Sequence, residues 1–300
     1  MDRIDLHTHS TFSDGTMTPE ELVAQAAKAG LKAFALTDHD TADGIPRALK
    51  AGREQGIEVV PGIEFSTEYQ GQDIHIVGLE PDYTASGFHE QVRLYRKNRL
   101  DRNRKIICKM QQDGLDISFE KMQARFGDTV WTRAHFARYL TEHGYTPDID
   151  TAFRTKLNYG CPYFVPRVKI HPAQVVALLR QYHGIPVLAH PFQYKFSSLE
   201  LFTLLRLLKE NGLIGMEVYY STHTPQQESL LLEACQTLSL LPSGGSDFHG
   251  KNKPLIHIGS GRGNLSIPYE ILTQLRTGRD SRYPLGLSAQ SNPSHQAGED

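Results

Sequence analysis

The sequence predicts an α/β fold: a closed or nearly closed barrel of about seven βα units, interrupted by a helical insertion. Three observations predict it. Short apolar runs alternate with amphipathic stretches from residue 3 to about 85, and again from 171 onward. Between about 86 and 165 the alternation stops and helical stretches dominate. Polar residues crowd where the apolar runs end, and barrel folds carry their chemistry at the C-terminal ends of strands.

Arg3–His7 reads as the first strand. Thr18-Pro19-Glu20-Glu21 opens a helix, with Thr18 as N-cap, Pro19 in the first turn and Glu21 closing a capping box. Leu22, Val23, Ala26 and Ala27 follow at helical spacing, and Gly30 ends the helix. Ala33–Thr37 is a buried strand, Ile45–Gln55 a helix stopped by Gly56, and Glu58–Val60 a third strand. After a turn at Gln70-Gly71-Gln72, Asp73–Gly78 is a fourth. This order implies a parallel sheet covered by helices. Beyond the insertion, His171-Pro172 opens a helix to about Tyr182. Strands at Pro186–Ala189, Ile214–Val218 and from Leu241 to Ser243 then alternate with helices at Leu199–Glu210 and Pro225–Leu238. The barrel is expected over residues 1–85 and 166–286, the insertion or cap over 86–165, and a polar, disordered tail over 287–300.

The 300 residues suffice for a large core, and 39% apolar with 22% charged residues is the balance of an ordinary globular protein. A net charge of −2 excludes gripping polyanions by bulk charge, so any nucleic-acid contact must be local. Cys108, Cys161 and Cys235 are odd in number and form no CxxC, which supports neither a disulfide framework nor a Cys-rich zinc site. The N-terminus lacks the apolar core of a signal peptide, and no run approaches the ~20 apolar residues of a membrane helix. A reducing, cytoplasmic setting without membrane association is the expectation.

Histidine is abundant, with fourteen residues, and its placement is informative. The first strand ends in His7-Thr8-His9, whose rings share one side of a strand and can reach one metal. Ser10 and Ser13-Asp14-Gly15 follow. The second strand ends in Thr37-Asp38-His39-Asp40, and the third runs into Pro61-Gly62-Ile63-Glu64-Phe65-Ser66. His75 lies in the fourth, His190-Pro191 ends the fifth, and Gly245-Ser246-Asp247-Phe248-His249-Gly250 follows the last. One histidine at a strand end is usually a satisfied polar residue. Histidine and carboxylate at the ends of six strands is a metal site. Donors of this kind without Cys suit Zn, Mn or Fe in a catalytic role, and a Glu can bridge two cations.

These motifs together resemble those of the PHP (polymerase and histidinol phosphatase) superfamily, from residue 4 to about 260 apart from the insertion. The resemblance implies a distorted (β/α)7, TIM-like barrel with a multinuclear centre that hydrolyses phosphoesters by attack of a metal-bridging hydroxide. It implies one metal held by His7, His9, Glu64 and Asp247, a second sharing Glu64 with His75 and His190, and a third on Asp14, His39 and His249. Two or three divalent metals are thus implied, Mn first, with Fe or Zn as alternatives. Glu64, Asp247 and His249 are the candidate catalytic residues. Asp40 would orient a ligand imidazole, and Asp38 would do the same or cap the following turn.

Arg133, in Trp131-Thr132-Arg133-Ala134-His135-Phe136, reads either as a surface helix arginine or as a phosphate clamp over the metals. His223 is a second candidate for substrate phosphate, and Lys195 also follows a strand end. A basic run (Arg93, Arg96, Lys97, Arg99, Arg102, Arg104, Lys105 and Lys109) reads as a solvated face or as a rail for a short RNA or nucleotide. The layout resembles stand-alone bacterial PHP phosphoesterases, including 3',5'-nucleotide bisphosphate phosphatases and 5'-to-3' exoribonucleases. A nucleotide or short oligonucleotide is therefore the expected substrate and partner, with no obligate protein partner. Histidinol-phosphate phosphatase is the alternative enzyme. A metal-bound structural or nucleic-acid-binding module is the non-enzyme alternative, disfavoured because every expected ligand position is filled.

Overall fold

A computed structural model describes residues 2–166 and 170–282; the expected tail, 287–300, lies outside them. Eight strands form one sheet: β1 (Arg3–Thr8), β2 (Leu31–Leu36), β3 (Glu58–Tyr69), β4 (Gln72–Leu79), β5 (Ile185–Leu188), β6 (Gly215–Tyr220), β7 (Leu241–Gly245) and β8 (Ile267–Pro268). Their order is β7-β6-β5-β4-β3-β2-β1-β8. The sheet closes at one mouth, where Asp247 N–H donates to His7 C=O (2.9 Å) and His9 N–H to Phe248 C=O (3.0 Å). Gly245 permits this approach, since a Cβ there would stand 2.4 Å from the Cβ of His7.

The sheet departs from the expected parallel barrel at β3 and β4. Strand β3 does not stop at Val60 but continues through Glu64 to Tyr69, and β4 pairs antiparallel with both β3 and β5. The reason lies in the turn. Gln70 and Gly71 both adopt positive φ (50° and 78°), as a two-residue primed hairpin requires, and Tyr69 pairs with Gln72. His75 is therefore not at a strand's C-terminal end. It sits in the first half of a reversed strand, opposite Ser66, which returns it to the same mouth. Strand β8 is also antiparallel, to β1.

The helices α1 (Pro19–Lys28), α2 (Ile45–Gln55), α7 (Pro172–Gln181), α8 (Ser198–Glu210), α9 (Pro225–Leu238) and α10 (Glu270–Arg282) cover the sheet. The capping box of Thr18 and Glu21 is formed in full, and Thr224 with Gln227 makes another before Pro225. Alternate strand residues divide between two cores. Ile76 and Leu188 pack with α7 and α8, while Val77 and Val187 join a cluster closed by Leu272 and Leu275 of α10.

Between β4 and β5 lie α3 (Ser86–Gln112), α4 (Phe119–Phe126), α5 (Arg133–Glu142), α6 (Ile149–Ala152) and a π-helical turn over Phe153–Leu157. They have a core of their own around Ile106, Met110, Met122, Phe136 and Leu140. Phe88 and Val92, in the first turns of α3, pack instead with the barrel. The helices reach the mouth through α3 and through the segment before α5, where Val130 N–H donates to Phe12 C=O (3.2 Å).

Candidate metal centre and its cavity

Glu64 is the hub of the mouth. His7 Nε2 and His9 Nε2 each lie 3.3 Å from its Oε2, and His39 Nδ1 lies 3.0 Å away. His75 Nδ1 lies 2.7 Å from its Oε1, and His190 Nε2 3.2 Å. Asp247 Oδ1 is 3.3 Å from both His9 Nε2 and His249 Nδ1. Asp14 Oδ1 is 3.2 Å from His249 Nε2, and Asp14 Oδ2 is 3.7 Å from His39 Nε2. All nine residues expected as ligands thus meet in one place, drawn from six strands (β1 to β5 and β7) or the loops that follow them.

Their donor atoms test whether cations fit. His7 Nε2, His9 Nε2, His39 Nδ1 and Glu64 Oε2 are buried and make no hydrogen bond, a costly condition for polar atoms unless something else binds them. Three sets have one donor atom from each residue within 4.8 Å of one another: His7, His9 and Glu64; His39, Glu64 and His75; and His9, Asp14, His39 and His249. The residues fit a multinuclear divalent centre. The grouping differs in detail from the implied one, because His9 and His39 each stand in two sets.

The charges are set for ligation. Burial works against the ionised carboxyls of Asp14, Glu64 and Asp247, yet the facing imidazoles, with Lys253 at Asp247, hold all three well below the usual range. Burial likewise opposes protonation of His9, but Asp247 and Glu64 raise its pKa to about 9. His39 goes the other way, pushed by burial down to about 4. Ligation requires neutral imidazoles, so cation binding here would compete with protons.

The backbone bends to deliver these groups. Asp40, His190 and Asp247 have φ of 50°, 29° and 57°. Such conformations cost about 1–3 kcal/mol each in a non-glycine residue and cluster at functional sites.

Several supporting residues were not among those singled out in the sequence. Glu217 of β6 accepts from His7 Nδ1 (2.8 Å) and from the His190 N–H (2.7 Å), fixing two ligand residues at once. A lone acid inside the apolar run Gly215-Met216-Glu217-Val218 was its signal. Tyr220 and Lys253 both donate to Asp247 Oδ2, at 2.7 and 2.5 Å. Thr132, the N-cap of α5, donates to Asp14 Oδ2 (2.8 Å). Asp38 accepts from the N–H and Oγ of Ser10 and from Ser13 Oγ, so it braces the loop after β1. Asp40, expected to orient a ligand imidazole, grips Arg99 Nε (2.8 Å) and the Ser66 N–H (3.1 Å). Ser66 Oγ in turn lies 3.5 Å from His75 Nε2.

The centre opens into a cavity of about 260 Å³ whose rim carries Arg99, Thr132, Arg133 and Lys253 beside the ligands. Arg133 thus faces the site, with its guanidinium on Asp73. His223 does not line this cavity. It is buried edge-on to Phe192, next to Tyr220, and its Nδ1 is spent on Val218 C=O (2.8 Å). Lys195 does not line it either. The basic run is not uniformly solvated: Arg99 and Arg102 are 5% and 3% exposed, whereas Lys97 and Lys105 face solvent.

A mouth that gathers histidines and carboxylates beneath a cationic rim defines a class, the metal-dependent phosphoesterases. Comparison narrows it. The sequence profile of the PHP domain matches residues 5–243, and the chain belongs to that family. It is 35% identical over 265 residues to a 5'-3' exoribonuclease of Haemophilus influenzae, covering 85% of this chain and 95% of that one. It is 31% identical over 250 residues to a 3',5'-nucleoside bisphosphate phosphatase of Chromobacterium violaceum, covering 83% and 88%. Among solved structures, a metal-dependent phosphoesterase of Bifidobacterium adolescentis superposes with a TM-score of 0.82 at 27% identity, over 92% of this chain and 96% of that one. The protein is a hydrolase of the PHP type. None of its helices, among the described residues, is long and apolar enough to cross a membrane.

Proposed function

We propose that the protein hydrolyses phosphate esters of nucleotides or short oligonucleotides, as a bisphosphate phosphatase or a 5'-to-3' exoribonuclease does. The observation that carries this reading is the cavity: the nine-residue donor set opens directly onto Arg133, Arg99 and Lys253. Phosphate needs cations on its oxygens, and Arg meets it with a planar fork. The relatives named above support the nucleotide class.

His7, His9, Glu64 and Asp247 would hold one cation, Glu64, His75 and His190 a second, and Asp14, His39 and His249 a third. Mn is the first choice, with Fe or Zn as alternatives. Cations held there would activate water and neutralise charge on the phosphoryl oxygens. Glu64 places five imidazoles around one carboxylate, and Glu217 fixes the ring of His7 so that Nε2 points inward. Arg133 would receive the non-bridging oxygens, and the helices of residues 86–165 would act as a cap that excludes water. The same reading puts the protein in the cytoplasm without an obligate protein partner.

The test is a panel of adenosine 3',5'-bisphosphate, 5'-phosphorylated short RNA and DNA, and histidinol phosphate, assayed with Mn. Turnover of a nucleotide substrate, abolished by chelation and restored by Mn, is expected. Activity that survives verified metal removal, or turnover of histidinol phosphate alone, overturns the reading.

A further inference from the structure

A second cavity, of about 190 Å³, lies beside the metal cavity, and Arg99 lines both. Its remaining walls come from α3, α4 and the segment before α5, and include Arg96, Lys97, Phe119, Gln123 and Trp131. The adjacent residues Trp131 and Thr132 face different cavities, so they and Arg99 form the partition.

Arg99 uses three of its five N–H donors within the protein. Its Nε and Nη2 donate to Asp40 Oδ2, and Nη2 also donates to Ser66 Oγ at 2.9 Å. Its Nη1 is buried and has no hydrogen-bond partner, although the side chain is 4% exposed. The unmatched nitrogen itself is closed to solvent, but the guanidinium keeps its charge at the wall shared by the two cavities. Lys97, exposed at the outer wall, adds positive charge, and Arg96 adds more while pairing with Asp43. The Phe119 ring, half-buried against Trp131 at 4.8 Å, supplies an apolar aromatic surface. One acid, Asp128, also lines the space and suits a sugar hydroxyl better than a phosphate. Cations, an aromatic face and an amide beside a phosphoryl-transfer cavity match the parts of a single nucleotide.

We propose that this second cavity is a subsite for the neighbouring nucleotide of the substrate, with its phosphate passing Arg99 and its base lying toward Phe119 and Gln123. The inference rests on the nucleotide reading above and adds a place for the part of the substrate that is not attacked. It also gives a role to three members of the basic run, Arg96, Lys97 and Arg99, which line this cavity.

The experiment compares a 5'-phosphorylated adenylate dinucleotide with p-nitrophenyl phosphate, which has no neighbouring nucleotide to occupy the second cavity. Both are assayed with Mn-loaded full-length protein and the variants Lys97→Glu and Gln123→Ala, whose side chains are exposed and whose replacement spares the core. KM for the dinucleotide should rise about tenfold more than KM for p-nitrophenyl phosphate, with kcat for the dinucleotide held within about twofold. Equal changes on both substrates, or no change on either, overturn the subsite. Wild-type protein that cleaves p-nitrophenyl phosphate but no nucleotide overturns the nucleotide reading and the subsite with it. Wild-type cleavage of the dinucleotide with unshifted variants overturns the subsite alone.

Discussion

Replacing Glu217 by Gln tests how far the centre depends on a residue that would touch no metal. The carboxylate is 1% exposed and accepts two hydrogen bonds, from His7 Nδ1 at 2.8 Å and from the His190 N–H at 2.7 Å. Glutamine preserves the shape but offers only one oxygen. Its amide nitrogen must then face either the ring or the peptide N–H, both of which donate, so one bond is lost and the other loses its ionic character. A bond to a charged group contributes about 1.5–3 kcal/mol and a neutral one about half that, so exchanging two charged bonds for one neutral bond removes about 2–4 kcal/mol of support. Spread over the ring orientation of His7 and the position of His190, this corresponds to a 10- to 100-fold weaker metal affinity. The assay is calorimetric titration of the metal-free variant with Mn²⁺ at fixed pH, alongside circular dichroism to confirm the fold. A dissociation constant within twofold of the parent protein, in a folded variant, would refute the role assigned to Glu217.

Arg133→Ala should lower kcat/KM for a phosphorylated substrate by about 10- to 100-fold through removal of a bidentate cation, while metal content by mass spectrometry stays constant; unchanged kinetics would remove Arg133 from the site. His135 makes a pH prediction. Its Nδ1 accepts the Thr132 N–H (3.0 Å) in the cap of α5, and burial pushes its pKa down to about 4. A histidine with a depressed folded pKa contributes stability that is present above its unfolded value of about 6.5 and is lost as pH falls toward 4. Between pH 7 and 4.5 the loss is about 2 kcal/mol. His135→Gln keeps an acceptor at the third helical position, so urea titrations should show a shallower acid loss in the variant; identical slopes would sink the argument.

Much of this architecture was legible because the signals were local. The helix from Pro19 announced itself through Thr18 and Glu21, and the helix from Pro225 through proline and its apolar spacing. The histidine motifs were legible because metal chemistry restricts which residue types can serve. What escaped was non-local or ambiguous. Pro61 and Gly62 resemble a strand stop, yet β3 runs through them because hairpin pairing with β4 supplies the hydrogen bonds on one side. The turn at Gln70-Gly71 was visible, but the reversal it imposes on β4 was overridden by the βαβ expectation. Glu217 and Lys253 became functional only once folding set them against His7 and Asp247. Arg99 looked like its neighbours in a charged run, and only the tertiary position of Asp40 distinguishes it.

The closure between β1 and β7 also sets a timetable. Asp5 binds Ser246 across 241 residues of chain, and the donors His7 and Asp247 lie beside that contact. A chain emerging from the ribosome exposes its first histidines long before the last carboxylate exists. Until β7 docks, the emerging chain offers only an incomplete set of ligands. Two of the donor sets are complete by residue 75, whereas Asp247 and His249 join only when β7 meets β1, so a cation that needs them would be the last to be fastened.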